Sequence, residues 1–142
     1  MSVRARWLLA VALIIHGVIH VIAFQAAWLI GGLEEFSPVP TFPSMSAGSA
    51  EARVVGALWL VAGLGFLATA TLLVGDRPAW RPCAAAAAVL SLGVCLLWWH
   101  DAPVGAAVDL LILAVLAATF PARVRAFSFR PASAPSGSPN RL

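Results

Sequence analysis

The chain has 142 residues, of which 61% are hydrophobic and only 11% are charged, and its mean hydropathy is +0.93. Since soluble domains carry about 25% charged residues, this composition excludes an ordinary soluble domain and indicates a bilayer protein. The net charge of +3 comes from arginines that lie at the ends of apolar segments. Because these arginines form no basic stripe, nucleic acid is not an expected partner. The expected partner is the lipid bilayer with its anionic headgroups.

Four apolar segments in chain order predict four helices, at about 7–30, 54–74, 83–99 and 103–120. A membrane-spanning helix needs about 20 residues, with a range of about 17 to 25, so all four are long enough, the last two barely. In hydrocarbon the backbone amides need internal partners, and the segments lack the alternation of barrel strands. The sequence therefore predicts an all-α fold, a four-transmembrane-helix bundle over residues 1–130. The first segment is longer than the apolar core of a cleavable signal and is expected to be retained.

The connections add two predictions. In the loop at 31–50, apolar side chains recur at every third position, from Phe36 to Met45, which is the period of a polyproline II segment. A disordered loop with chance spacing explains the same residues, and the sequence leaves its conformation open. Residues 131–142 are rich in proline, serine and glycine, a composition that predicts a disordered tail.

Arginine placement predicts the orientation of the bundle. With four spans, eight of the nine arginines fall on one side of the membrane, and Arg53 alone falls on the other. The positive-inside rule makes the arginine-rich side cytoplasmic. Both termini are therefore predicted to be cytoplasmic, with the loop at 31–50 outside.

Two histidines lie in the middle of the first apolar segment. At about 100° per residue, His16 and His20 are about 40° apart on one face of a helix, together with Ala12, Ala23 and Ala27. The opposite face carries bulky aliphatic side chains suited to lipid. We therefore expect both histidines to face the interior of the bundle.

The fourth segment carries one carboxylate, Asp109, at a depth close to that of His20. An intramembrane carboxylate is costly unless it is paired, and imidazole is the available partner. We expect His16 or His20 to lie within hydrogen-bond reach of Asp109, directly or through one water, in a buried polar cluster. Tryptophans are enriched at membrane interfaces, and four residues are candidates for the outer interface: Trp98, Trp99, His100 and Asp101.

No nucleophile–base pair, phosphate loop or cysteine-rich motif supports an enzyme. A catalytic role stays open only through a cofactor that the sequence does not specify. Ser91, Thr69 and Thr71 lie within predicted helices, where hydroxyls usually bond to the carbonyl of the preceding turn. Cys83 and Cys95 are about 18 Å apart along one helix, too far for a disulfide, and are expected to be packing residues.

Two stretches resemble a known group of proteins. HGVIHVIAF is similar to the HGxxHxxGF pattern that opens a group of small, uncharacterised bacterial four-helix membrane proteins, which are loosely DoxX-like. WWHDAPVGAAVDLLIL resembles their third-loop stretch. Ala23 stands where that pattern has glycine, and Asp109 stands where it has an amide. The resemblance implies a multi-pass protein of the bacterial plasma membrane and no particular reaction, and it singles out His16, Gly17, His20, Asp101 and Asp109.

Four interpretations of the polar cluster remain open. In the first, the cluster fixes helix register in a structural or accessory membrane subunit, alone, as a homo-oligomer or with other membrane subunits. In the second, a histidine binds a quinone, lipid or other apolar molecule inside the bundle. The third is a proton or small-solute path, and the fourth is a metal or haem site at His16 and His20. A zinc site needs three or four protein ligands, and only Asp109 or His100 could complete it.

Overall fold

The computed structural model describes residues 1–31 and 48–119. Within them the chain forms four α-helices and no β-strand, which confirms the predicted all-α fold. The predictions for the loop at residues 32–47 and for the tail at 131–142 lie outside the described residues. The helices are α1 (Val3–Ala27), α2 (Ala50–Val74), α3 (Trp80–Leu97) and α4 (Pro103–Ala118).

Polar caps set where the first two helices begin. The Ser2 side chain accepts a hydrogen bond from the Ala5 amide at 3.2 Å, so α1 begins four residues before the apolar pattern predicts. Ser49 caps α2 through the Ala52 amide in the same way, also four residues early. Pro103 occupies the first turn of α4, where its missing N–H costs no helical hydrogen bond.

Three of the helices are long and apolar enough to cross a membrane. These are α1 and α2, with 25 residues each, and α3, with 18. At 16 residues α4 is apolar but spans only about 24 Å, less than the hydrocarbon thickness of about 30 Å. Large aliphatic side chains such as Leu8, Ile15 and Ile19 remain more than half exposed along α1. Lipid is the natural cover for such a surface, and these features together indicate a membrane protein.

Helices that follow one another in the chain pack together, α1 on α2, α2 on α3 and α3 on α4. The closest approach joins α1 to α2, where a Cβ added at Gly63 would lie 2.8 Å from the Gly17 carbonyl oxygen. Small residues allow such backbone contact in membranes. This contact presses α2 against the histidine face of α1 and places Phe66 beside both imidazole rings.

The two ends of the bundle carry different arginines. Arg6 forms an ion pair with Asp76 at 2.9 Å, so the start of α1 lies beside the turn between α2 and α3. At the other end, the Trp28 indole N–H donates to the Arg53 carbonyl at 2.9 Å. Arg53 is thus separated from Arg6 as the sequence predicts. Which end faces the cytoplasm stays a prediction.

Candidate functional site

His16 and His20 lie on the face of α1 that packs into the bundle, as predicted. Only 8% of His16 and 4% of His20 is exposed. Their ring centroids are 4.7 Å apart, and Phe66 of α2 meets the His16 ring edge-on at the same distance. Because Phe66 closes the α2 side of both rings, their side-chain hydrogen-bond partners come from α3 and α4.

Asp109 of α4 is fully buried, at 0% exposure, and bonds directly to α1. His16 Nε2 and Asp109 Oδ1 form a hydrogen bond at 3.0 Å. The predicted contact between a histidine of the first helix and this carboxyl group is therefore confirmed, with His16 as the direct partner. The bond links the first and last helices, which are not consecutive in the chain.

Ser91 of α3 joins the second histidine to the same carboxyl group. Its hydroxyl oxygen lies 2.7 Å from His20 Nε2 and 2.5 Å from Asp109 Oδ2. At the other side of the ring, His20 Nδ1–H donates to the His16 carbonyl oxygen at 2.8 Å, since a carbonyl can only accept. His16, His20, Ser91 and Asp109, which we call the polar cluster, thus tie three helices together.

The prediction that Ser91 bonds to the carbonyl of the preceding turn is wrong, because its hydroxyl bonds to His20 and Asp109 and, within α3, only approaches Cys95 Sγ at 4.0 Å. The Thr69 and Thr71 hydroxyls do donate to carbonyl oxygens one turn back, those of Gly65 and Leu67. Ser91 differs because its face of α3 packs against α1 and α4, where an imidazole and a carboxyl group are both within reach. A serine among alanines carries no sequence signal for this role. Only the predicted depth of His20 and Asp109 on neighbouring helices could have suggested it.

These contacts determine how many protons the polar cluster holds. Ser91 has one hydroxyl proton for two neighbours. If Ser91 donates to Asp109, His20 Nε2 must carry a proton and donate to Ser91, which pairs an imidazolium with a carboxylate. If Ser91 donates to His20, Asp109 must be protonated and donate to Ser91. Both arrangements have no net charge, which a low-dielectric interior favours.

The same reasoning defines the state of His16. In both neutral arrangements, Asp109 Oδ1 accepts from the His16 Nε2–H. A neutral imidazole carries one proton, so His16 Nδ1 holds a lone pair. This nitrogen makes no hydrogen bond within the described residues, and it is not among their buried unpaired atoms, so it keeps some accessible surface although 91% of the side chain is buried. His16 therefore presents one acceptor that the described residues do not use.

Two apolar clefts separate α1 from α4, one on each side of the bond between His16 and Asp109. The larger, which we call the Trp59 cleft, has a volume of about 390 Å³ and lies toward the C-terminal end of α1. The smaller, the Trp80 cleft, has about 230 Å³ and lies toward the N-terminal end. His16 and Val108 line both clefts, so the polar contact forms the partition between them.

The Trp59 cleft has an apolar rim and a polar base. Val104, which is 74% exposed, and Ile19 stand at its rim. His16, His20 and Cys95 are buried and line its inner wall. Small-molecule sites commonly have about 300–1,000 Å³ and apolar walls around a few polar groups. The cleft can hold a molecule whose apolar body faces the lipid and whose polar group reaches the histidines.

The four residues expected at the outer interface do not share one environment. Trp98 is only 1% exposed and packs against Trp59, with ring centroids 5.2 Å apart. The chain turns inward after α3, and this places the Trp98 ring among apolar residues of α2 and α3. Trp99, His100 and Asp101 are exposed in the turn between α3 and α4, and Asp101 also borders the Trp59 cleft. Their location at a membrane interface stays a prediction.

The described residues offer no metal site with three protein ligands, and the haem interpretation stays a prediction. No group of three histidine, cysteine, aspartate or glutamate side chains is placed to hold an ion among residues 1–31 and 48–119. His20 has both ring nitrogens in hydrogen bonds, which leaves it no free lone pair for a metal. His100 lies in the exposed turn after α3 and is not part of the polar cluster.

Comparison with known proteins identified no related protein. The chain matches no protein-family model, no curated protein and no solved structure. The resemblance to the small DoxX-like bacterial proteins therefore stays a prediction, and the geometry of the polar cluster and the two clefts carries the functional argument.

Proposed function

We propose that this integral membrane protein binds an apolar small molecule with one hydrogen-bonding group, such as a quinone-like or lipid-like molecule, in the Trp59 cleft. One observation carries the proposal, the position of two buried histidines at the base of an apolar cleft of about 390 Å³. A cluster that served only to fix helix register would have no use for an adjoining cleft of this volume. The exposed aliphatic rim gives a ligand dissolved in the bilayer a direct path of entry.

The test uses two substitutions of the same kind on α1. Ala23→Phe places a ring in the Trp59 cleft, whereas Ala12→Phe places one in the Trp80 cleft. Purified protein in detergent is titrated with decylubiquinone, whose head group accepts hydrogen bonds, and with para-heptylphenol, whose head group donates one. Binding of either probe should be lost with Ala23→Phe and retained with Ala12→Phe. If neither probe binds to the unmodified protein, or if both substitutions act alike, the proposal fails.

The hydrogen bonds of the polar cluster favour a second role, that of a structural or accessory membrane subunit. They join α1, α3 and α4 through buried groups, which is what a register-fixing device requires. This role predicts that His20→Asn, which keeps a polar side chain, is tolerated and that His20→Leu weakens the bundle. The ligand-binding role predicts weaker probe binding in both variants, including one that keeps its stability, because His20 lines the inner wall of the Trp59 cleft. Measuring stability and probe binding on the same two proteins separates the roles.

We propose further that the protein resides in a bacterial plasma membrane with both termini in the cytoplasm. The eight-to-one distribution of arginines supports this orientation. To test the orientation, Ser46 or Ser136 is replaced by cysteine, and intact cells are treated with a membrane-impermeant maleimide. The unmodified protein, which has two native cysteines, is the control for background labelling. Labelling at Ser46 only is expected. Labelling at Ser136 only would reverse the orientation.

A further inference from the structure

His16 has one ring nitrogen that the described residues leave without a partner. The ring donates through Nε2 to Asp109, and both neutral proton arrangements of the polar cluster leave a lone pair on Nδ1. The side chain is 91% buried, and His16 lines both the Trp59 cleft and the Trp80 cleft. An unpaired acceptor with access to an apolar cleft is the feature that a ligand donor would satisfy.

The other polar groups at this base are already engaged. His20 uses both ring nitrogens, one with Ser91 and one with the His16 carbonyl. Asp109 uses both carboxyl oxygens and is fully buried behind the two histidines. Cys95 Sγ lies 3.9 Å from Asp109 Oδ2, and a thiol is a weak donor and a weak acceptor. Among the described residues, the base of the cleft therefore offers its ligand one strong acceptor and no strong donor.

We infer that the ligand of the Trp59 cleft is an apolar molecule bearing a hydroxyl group, which donates a hydrogen bond to His16 Nδ1. This inference rests on the proposed function, because it names the class of ligand for the same cleft. A carbonyl or ether oxygen would meet the Nδ1 lone pair with another lone pair and would leave both groups desolvated and unpaired. The class therefore comprises phenols, quinols and long-chain alcohols, which within the broader ligand class of the proposed function should bind more tightly than quinones, ketones and esters.

The test compares two probes that differ only in the donor. Para-heptylphenol and para-heptylanisole share a ring and a chain, but methylation removes the hydroxyl proton of the second. Both are titrated into the full-length protein at equal mole fraction in the micelle, with tryptophan fluorescence as the signal and Trp59→Phe to identify its source. One neutral hydrogen bond corresponds to about fivefold in affinity, so the phenol should bind about fivefold more tightly.

A second measurement reads the nitrogen itself. The chain has only three histidines, and the exposed His100 can be replaced by glutamine to simplify the ¹⁵N spectrum of histidine-labelled protein. His16 Nδ1 should show the resonance of an unprotonated ring nitrogen, which the phenol shifts and the anisole does not. A protonated Nδ1, or equal affinity for the two probes, would overturn the inference.

The outcomes also distinguish this inference from the proposed function. If Ala23→Phe abolishes the binding of both probes and the two bind equally, the cleft is a ligand site but the hydroxyl class is wrong. If neither probe binds at the cleft, the proposed function itself fails. Titration with decanol shows whether the site prefers an aliphatic or an aromatic hydroxyl group. Binding as tight as that of the phenol assigns the site to aliphatic alcohols, and weaker binding assigns it to phenols and quinols, both within the proposed class.

Discussion

Ser91 offers the sharpest test of the polar cluster, because one small side chain joins His20 to Asp109. Ser91→Ala removes the contacts of 2.7 Å and 2.5 Å and leaves the surrounding backbone unchanged. Side-chain hydrogen bonds between membrane helices average about 0.6 kcal/mol, so the two bonds contribute about 1.2 kcal/mol. The fully buried Asp109 Oδ2 then keeps only the weak Cys95 thiol donor at 3.9 Å, which adds a penalty of up to about 1–3 kcal/mol. We expect the free energy of unfolding to fall by about 1–4 kcal/mol.

The assay is equilibrium unfolding in mixed micelles of rising dodecyl sulfate content, followed by tryptophan fluorescence. Thr69→Val is the matched control, because it also deletes a fully buried hydroxyl. Thr69 donates to the Gly65 carbonyl of its own helix, so its loss strands no group on another helix and should cost less than about 0.5 kcal/mol. If Ser91→Ala and Thr69→Val lower stability equally, the argument that Ser91 links three helices is refuted.

Three further predictions use the same unfolding assay. Gly63→Ala should destabilise the protein by about 1–3 kcal/mol, because its Cβ would lie 2.8 Å from a backbone oxygen of α1. Gly93→Ala, whose Cβ would meet nothing within 4 Å, should cause no loss, and equal effects would contradict the close packing of α1 on α2. Asp109→Asn should be tolerated, because an amide donates and accepts like the protonated carboxyl group, whereas Asp109→Leu should cost about 1–3 kcal/mol. An Asn variant as unstable as the Leu variant would show that the cluster needs a carboxylate. Asp76→Asn breaks the ion pair with Arg6, in which the Asp76 side chain is 77% exposed and the Arg6 side chain 23%. It should change stability by less than about 0.5 kcal/mol, and a larger loss would mean that the pair is not a surface contact.

The sequence was sufficient for the class of protein, the number of helices and the direction of the histidines. Long apolar segments in a chain with few charges leave the helix as the only way to pair backbone amides in lipid. Helical periodicity places His16 and His20 on one face, and the cost of a lone carboxylate makes a histidine the expected partner of Asp109. These are properties of single residues or single helices, and they do not depend on how the helices are rotated against one another.

The tertiary structure decided which groups meet. Periodicity defines a face on one helix, but the rotation and depth of a neighbouring helix depend on packing such as the contact between Gly17 and Gly63. That packing selects His16 as the direct partner of Asp109, and it turns Ser91 from its own helix to the polar cluster. It also buries Trp98 against Trp59, although its position after α3 suggested the interface. The Trp59 cleft exists because α1 and α4 meet at the polar cluster and separate on either side of it, a shape that no single helix encodes.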